Sequence, residues 1–449
     1  MADCLKLLRY NTGSDKKAFI DFRNDFDAVL FNASIVAYNG AAISDIISLY
    51  MKKYIIDPQT YILQHNIEAF LSKQGTIKAS VDKYLNQLPS NIKSIITEEH
   101  RELNITDIRS ILDNLVECVY EFQLNYIDSF LKDKEYNKYI QYKLEKENTT
   151  KEYSPQFIIA PYFRLKKQYN NLELDSWLQL NRDSLERFLS ISKGSIPIAT
   201  ELLLDKDILC RINPAQLKEI YNLPGYEYVI LWVDDFSPLE AKNTEQQGFK
   251  SILSVFNSLG KKVIMAYGGY DSIILCHSQS KIKLFGVAQS VGYGESRPIT
   301  PVGGGLPVNK YYFYPLHRRL SFGDASSILS KLGYFTPDKN KKKIFTSKFY
   351  SEICNCPQCQ EIICDDIDNF KKYNDSVPYN WKGDIKRNRP TTEASLIAAR
   401  HFMFCKKKEW DSLDTPLTDI IEKLLRDFNL YTTTKDLQKL RNFINIYVE

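Results

Sequence analysis

The stretch Tyr226–Ser237, "YEYVILWVDDFS", decides how the rest of the chain is read. Six apolar or aromatic residues run without alternation and close on two aspartates. That is the pattern of a strand buried on both faces, as in a parallel sheet, with its polar carboxyl end exposed. Moving outward, seven more runs repeat it: "DAVLFNAS" (27–34), "KKYIIDPQTY" (52–61), "PQFIIAPYF" (155–163), "SIPIATELLL" (195–204), "KKVIMAYGGYDS" (261–272), "IKLFGVAQSVGYGE" (282–295) and "NKYYFYPLHRRLSF" (309–322). Helical patterns such as "AAISDIISLYMKKY" and "TEQQGFKSILSVFNSLG" lie between several of them. Strand then helix, eight times over, predicts an α/β fold of the (β/α)8 TIM-barrel type, with a doubly wound open sheet as its rival.

Two connections break the rhythm. Between the second and third runs lies a long segment with apolar residues at three- and four-residue spacing, which predicts a helical insertion over about 62–152 rather than a loop. The expected organisation is an N-terminal segment 1–26, a barrel 27–345 and a zinc-binding, helix-rich C-terminal subdomain 346–449. The composition, 44% hydrophobic and 25% charged, is that of a globular protein. No long apolar run suggests a membrane span or a signal peptide, so the expected location is the cytoplasm. A net charge of +4 announces no nucleic-acid binder, yet the basic runs "DKNKKKIFTSK", "KGDIKRNR" and "CKKKEW" all follow Thr336. A phosphate-binding face is therefore expected toward the C-terminus.

Four of the nine cysteines fall in "SEICNCPQCQEIIC" (351–364). In a reducing compartment such clustering favours a metal over disulfides. Cys354, Cys356 and Cys359 form C-x-C-x2-C, a spacing that presents sulfurs to one tetrahedral zinc. The fourth ligand is open between Cys364, His401 in "SLIAARHFMFC", and more remotely Cys405. Four protein ligands would close the ion's coordination and make it structural.

C-x-C-x2-C followed by a helix carrying "AARHF", behind a barrel, resembles the tRNA-guanine transglycosylase superfamily, the queuine and archaeosine transglycosylase-like enzymes and the branch that inserts 7-deazaguanines into DNA. The resemblance implies Cys354, Cys356, Cys359 and His401 as zinc ligands. It implies exchange of guanine in tRNA or DNA for a 7-deazaguanine base, with a carboxylate attacking the sugar, and often a homodimer through the zinc region. Aligning "YYFYPLHRR" with the family's last-strand motif puts Tyr311 where the family has its nucleophilic aspartate.

Barrel enzymes carry their sites at the carboxyl ends of strands. There the candidates are Asp235 as nucleophile or acid–base group, Asp57 as its partner, and Asp234, each of which could instead cap a following helix. Glu201 and Glu295 end the strands at the same mouth. Gly268 and Gly269 of "AYGGYDS" permit close approach of a ligand or merely a tight turn, and Tyr270 or Tyr162 could stack on a purine. His317, Arg318 and Arg319 suit phosphate, or else a salt-bridged rim with Asp324 or Glu295. The alternative to an enzyme is an inactive barrel of the same type, binding nucleic acid or a partner subunit through the insertion or the zinc tail.

Overall fold

The computed structural model describes residues 4–10, 15–50, 53–72, 74–131, 134–146, 153–192, 194, 196–292, 294–299, 309–335, 338–381 and 385–448. Nine parallel strands form its centre: β1 (Leu5–Tyr10), β2 (Ala28–Asn32), β3 (Lys53–Asp57), β4 (Ser154–Pro155), β5 (Ile158–Ile159), β6 (Ile198–Leu204), β7 (Tyr228–Val233), β8 (Lys262–Met265) and β9 (Gly286–Ser290). Their order is β4-β3-β2-β1-β9-β8-β7-β6-β5. The two end strands are separated in the chain only by Gln156 and Phe157, so the sheet curls into a nearly closed barrel. At the seam Gln156 N donates to Tyr54 O (2.8 Å) and Ile158 N to Pro197 O (3.0 Å). Every residue of β6 and β7 is buried, as the unbroken apolar runs require.

Two strand readings need correction. The run Asn309–Phe322, expected as the eighth strand, lies outside the sheet. It forms an antiparallel hairpin of β10 (Tyr311–Phe313) and β11 (Arg318–Leu320). Pro315 sits in a 3-10 turn and His317 adopts a left-handed φ of 50°, and together they reverse the chain. The sheet instead begins with β1, within the segment set apart as 1–26. Lys6 and Arg9 interrupt its apolar pattern, yet Arg9 is buried in the barrel, where Asp57 neutralises it. The helical insertion consequently follows the third strand, not the second.

Helix Ile105–Leu131 dominates that insertion, burying Ile108, Leu112, Leu115, Val119 and Phe122 at helical spacing. Its Gln123 acts as a neighbour for the short β5: the amide donates to Ile159 O and accepts from Ile159 N, both at 2.8 Å. The C-terminal region, which meets the barrel through Trp410–Gln289 and Tyr270–Ser412 hydrogen bonds, comprises helix Thr392–Asp411 together with Lys342–Glu352, Pro357–Ile363, Leu417–Tyr431 and Thr434–Tyr447. A second antiparallel pair, β12 (Ser376–Trp381) and β13 (Ile385–Pro390), emerges from it. Among the described residues, no helix is long and apolar enough to cross a membrane.

Candidate metal centre and barrel mouth

Cys354, Cys356, Cys359 and His401 converge, their ligand atoms all within 4.8 Å of one another and all four residues buried. Local structure sets each one. Cys356 caps helix Pro357–Ile363, its sulfur accepting from Cys359 N at 3.3 Å, which turns both thiols to one side. His401 comes from the middle of helix Thr392–Asp411. Its Nε2 donates to the Tyr312 carbonyl at 2.8 Å, which leaves Nδ1 facing the sulfurs at 3.3 Å (Cys356), 3.4 Å (Cys359) and 4.0 Å (Cys354). A tetrahedral ion with bonds of about 2.0–2.3 Å would hold its ligands roughly 3.5–3.8 Å apart, close to these separations. The backbone carbonyl behind His401 is the outer-shell support that metal-bound imidazoles generally have. Hydrogen bonds from Cys356 and Cys359 hold the Cys354 thiol well below its ordinary range, while burial pushes Cys359 up.

The four residues could therefore bind a metal ion. Of the other sulfurs considered, Cys364 is exposed, and Cys405 packs 3.8 Å from His401 and 4.0 Å from Cys354 at the edge of the group. Tyr311 belongs to this centre as well. Its ring stacks on His401 (centroids 4.4 Å) and its hydroxyl lies 3.6 Å from Cys359 Sγ. It lines the cluster rather than a strand end of the barrel.

Inside the barrel a second polar group is sealed from solvent. Arg9 Nη2 donates to Asp57 Oδ2 at 2.8 Å, and the Tyr162 hydroxyl and Gln59 N donate to Oδ1 at 2.6 and 2.9 Å. The Arg9 guanidinium also lies over Tyr267 (4.3 Å) and Trp232 (5.4 Å). Beside them Glu201, mid-strand in β6, is wholly buried, and neither of its oxygens has a hydrogen-bond partner. Burial first, and the charge of Asp57 next, hold the Glu201 carboxyl well above the usual carboxylate range against the pull of Arg9. Glu201 thus sits with a raised pKa beside an Asp57 that is ion-paired to Arg9.

The carboxylates after β7 diverge. Asp234 accepts from Ile299 N at 2.7 Å and so fixes the loop after β9. Asp235 is exposed in a left-handed turn (φ 42°), with Ser296 Oγ 3.3 Å from its Oδ1. Asp235 and Asp57, expected as partners, occupy different settings, one open and one sealed.

The remaining candidates gather around a cavity of about 310 Å3 between the barrel, the β10–β11 hairpin and the last two helices. Gly269, Tyr270, Glu295, His317, Arg318 and Arg319 line it opposite Phe428 and Phe443. Most are already engaged. Tyr270 stacks on His317 with centroids 3.8 Å apart. Arg319 donates to Glu295 at 3.1 Å and lies over Phe402, and Arg318 sits 3.6 Å from Glu240. His317 Nδ1 meets the buried Glu409 at 2.7 Å, and Glu409 also receives Lys406 at 2.8 Å and the Tyr312 hydroxyl. Burial lowers the His317 pKa and outweighs the opposing pull of Glu409. Gly268 is required by packing, since a Cβ there would come within 2.7 Å of Ser272 and Val287. The arginines therefore form a salt-bridged rim.

Arg9 and the Lys406–Glu409 pair escape a reading by strand ends. The signals that point to them are the cations Lys6 and Arg9 within the short β1 run and an i,i+3 charge pair on the buried side of "CKKKEW". The chain matches no protein-family model and no curated protein.

Proposed function

We propose that the chain is a base-exchanging transglycosylase on a (β/α)8 barrel, replacing guanine in tRNA or DNA with a 7-deazaguanine, with zinc as a structural ion. The carrying observation is the buried Cys354–Cys356–Cys359–His401 group, in the same chain as a parallel, nearly closed barrel and bonded through His401 to Tyr312 of the β10–β11 hairpin. Those are the three cysteines of the C-x-C-x2-C motif and the histidine that the family resemblance implies. In this reading Asp235, exposed at the carboxyl end of β7, attacks C1′ of the guanosine. Guanine leaves with the electrons of the broken C–N bond and takes up a proton, and the incoming base then displaces the carboxylate. Arg9, Asp57 and Glu201 lie beneath and fix the field of the barrel interior.

The engaged state of the mouth favours a second reading. Tyr270, Arg318 and Arg319 are bonded within the protein, and Tyr311 packs on the metal cluster, as in a barrel that binds or scaffolds without turnover. Incubation with labelled guanine or labelled 7-deazaguanines, with tRNA and DNA in parallel, separates the two. Incorporation into one polymer that is lost in Asp235→Ala supports exchange and names the substrate. No incorporation of any base by folded, metal-loaded protein sinks the exchange reading and leaves the scaffold.

A further inference from the structure

Between the metal ligands Cys359 and His401 the chain throws out the ribbon β12–β13. Six pairs hold it, from Ser376↔Pro390 to Trp381↔Ile385. On one strand Ser376, Val377, Pro378 and Asn380 are exposed, and on the other Lys386, Arg387, Asn388 and Arg389. Alternation puts Val377, Tyr379, Arg387 and Arg389 on one face, and Pro378, Asn380, Lys386 and Asn388 on the other. A two-stranded ribbon with both faces in water gains little from burial, so core packing does not account for it.

Its charge is one-sided. The described residues of the two strands include Lys386, Arg387 and Arg389 and no acidic residue. Exposed Lys371 and Lys372 stand at the foot of the ribbon, with Asp375 between them and β12. In a chain whose net charge is only +4, this is a local concentration suited to a polyanion. Shape narrows the partner. Two strands about 4.8 Å apart and roughly 20 Å long make a convex arm. The B-DNA major groove, about 12 Å wide, admits a two-stranded ribbon. The deep, narrow major groove of A-form RNA does not, and single strands are usually held in grooves with stacking platforms.

We infer that β12–β13 is a DNA-binding arm that lies in the major groove of duplex DNA, with Lys386, Arg387 and Arg389 on the phosphates. The inference rests on the polynucleotide reading above and narrows it to DNA. It is tested on the full-length, metal-loaded protein without any incoming base, by fluorescence anisotropy across a range of salt. The probes are a labelled DNA duplex, its single strand and the matching RNA duplex. The charge reversal Lys386→Glu/Arg387→Glu/Arg389→Glu is compared after its metal content and melting temperature are found unchanged. Each lost phosphate contact should remove about 0.9 from the slope of log affinity against log salt, so the triple variant should bind duplex DNA about tenfold or more weakly with a slope lower by about 2–3. Absence of duplex binding, equal binding by the variant, or tighter binding of the RNA duplex or single strand would overturn the assignment. Duplex binding through the arm without base exchange would sink the transglycosylase reading alone.

Discussion

The Cys/His centre and the barrel mouth are both crowded with polar side chains, yet they differ in what those side chains do for one another. Inside the barrel and around its mouth, charge meets charge: Arg9 with Asp57, Arg319 with Glu295, Lys406 and His317 with Glu409. At the centre, three thiols and an imidazole nitrogen point at a common space with few other groups to bond, and Tyr373 and Tyr311 touch only one sulfur. Self-satisfied pairs hold a fold together. Convergent donors of one chemical kind, buried and supported from behind, are arranged for something that the chain itself does not supply.

The sharpest way to break that contrast is to test the Cys/His centre for a bound metal and to strip it. Structural zinc contributes an apparent 10–16 kcal/mol to folding in small domains, so chelation or His401→Ala should unfold the C-terminal region. Elemental analysis should find one zinc per chain in the wild type and none in a Cys356→Ser/Cys359→Ser variant. An unchanged melting curve after chelation would remove the metal from the account. Next in size is Arg9→Met, which leaves Asp57 charged and uncompensated in the barrel. Breaking a buried pair from one side costs about 3–5 kcal/mol. Denaturant unfolding should show that loss, and the double variant Arg9→Met/Asp57→Leu should recover most of it. A cost below about 1 kcal/mol would mean that water reaches the pair.

What was legible in the sequence follows the same division. The three clustered cysteines were readable because C-x-C-x2-C is a local spacing, and local geometry survives whatever fold surrounds it; His401, 42 positions beyond Cys359, was one of three open candidates and was implied only by the family resemblance. Seven strand runs were readable because a strand buried on both faces has to be apolar throughout. β1 was not, because Arg9 looks like a surface residue until its long-range partner Asp57 is known, 48 positions away. Asn309–Phe322 misled for the opposite reason: its aromatic residues are buried, but against the Cys/His centre and helix Thr392–Asp411 rather than in the sheet. The fold gathers several of the mouth candidates around one cavity, while their mutual pairing depends on contacts that no spacing reveals.

Glu201, mid-strand in the barrel interior, is buried with no hydrogen bond to either oxygen, and it gives the finest test of the contrast. Its carboxyl is raised in the folded protein and ordinary in the unfolded chain, near 4.3. The folded state therefore holds its proton more tightly. The stability this gives is complete below about pH 4.3 and is lost as pH rises toward the folded value, by up to about 1.4 kcal/mol per unit. Glu201→Gln cannot titrate, so its stability should decline less steeply than that of the wild type from about pH 4.3 upward. The two proteins should differ least in acid and most near neutrality, in favour of the variant. Parallel urea titrations at several pH values measure that divergence. Parallel curves would mean that Glu201 is ionised and satisfied like its neighbours, and the barrel interior would then be one closed set of pairs.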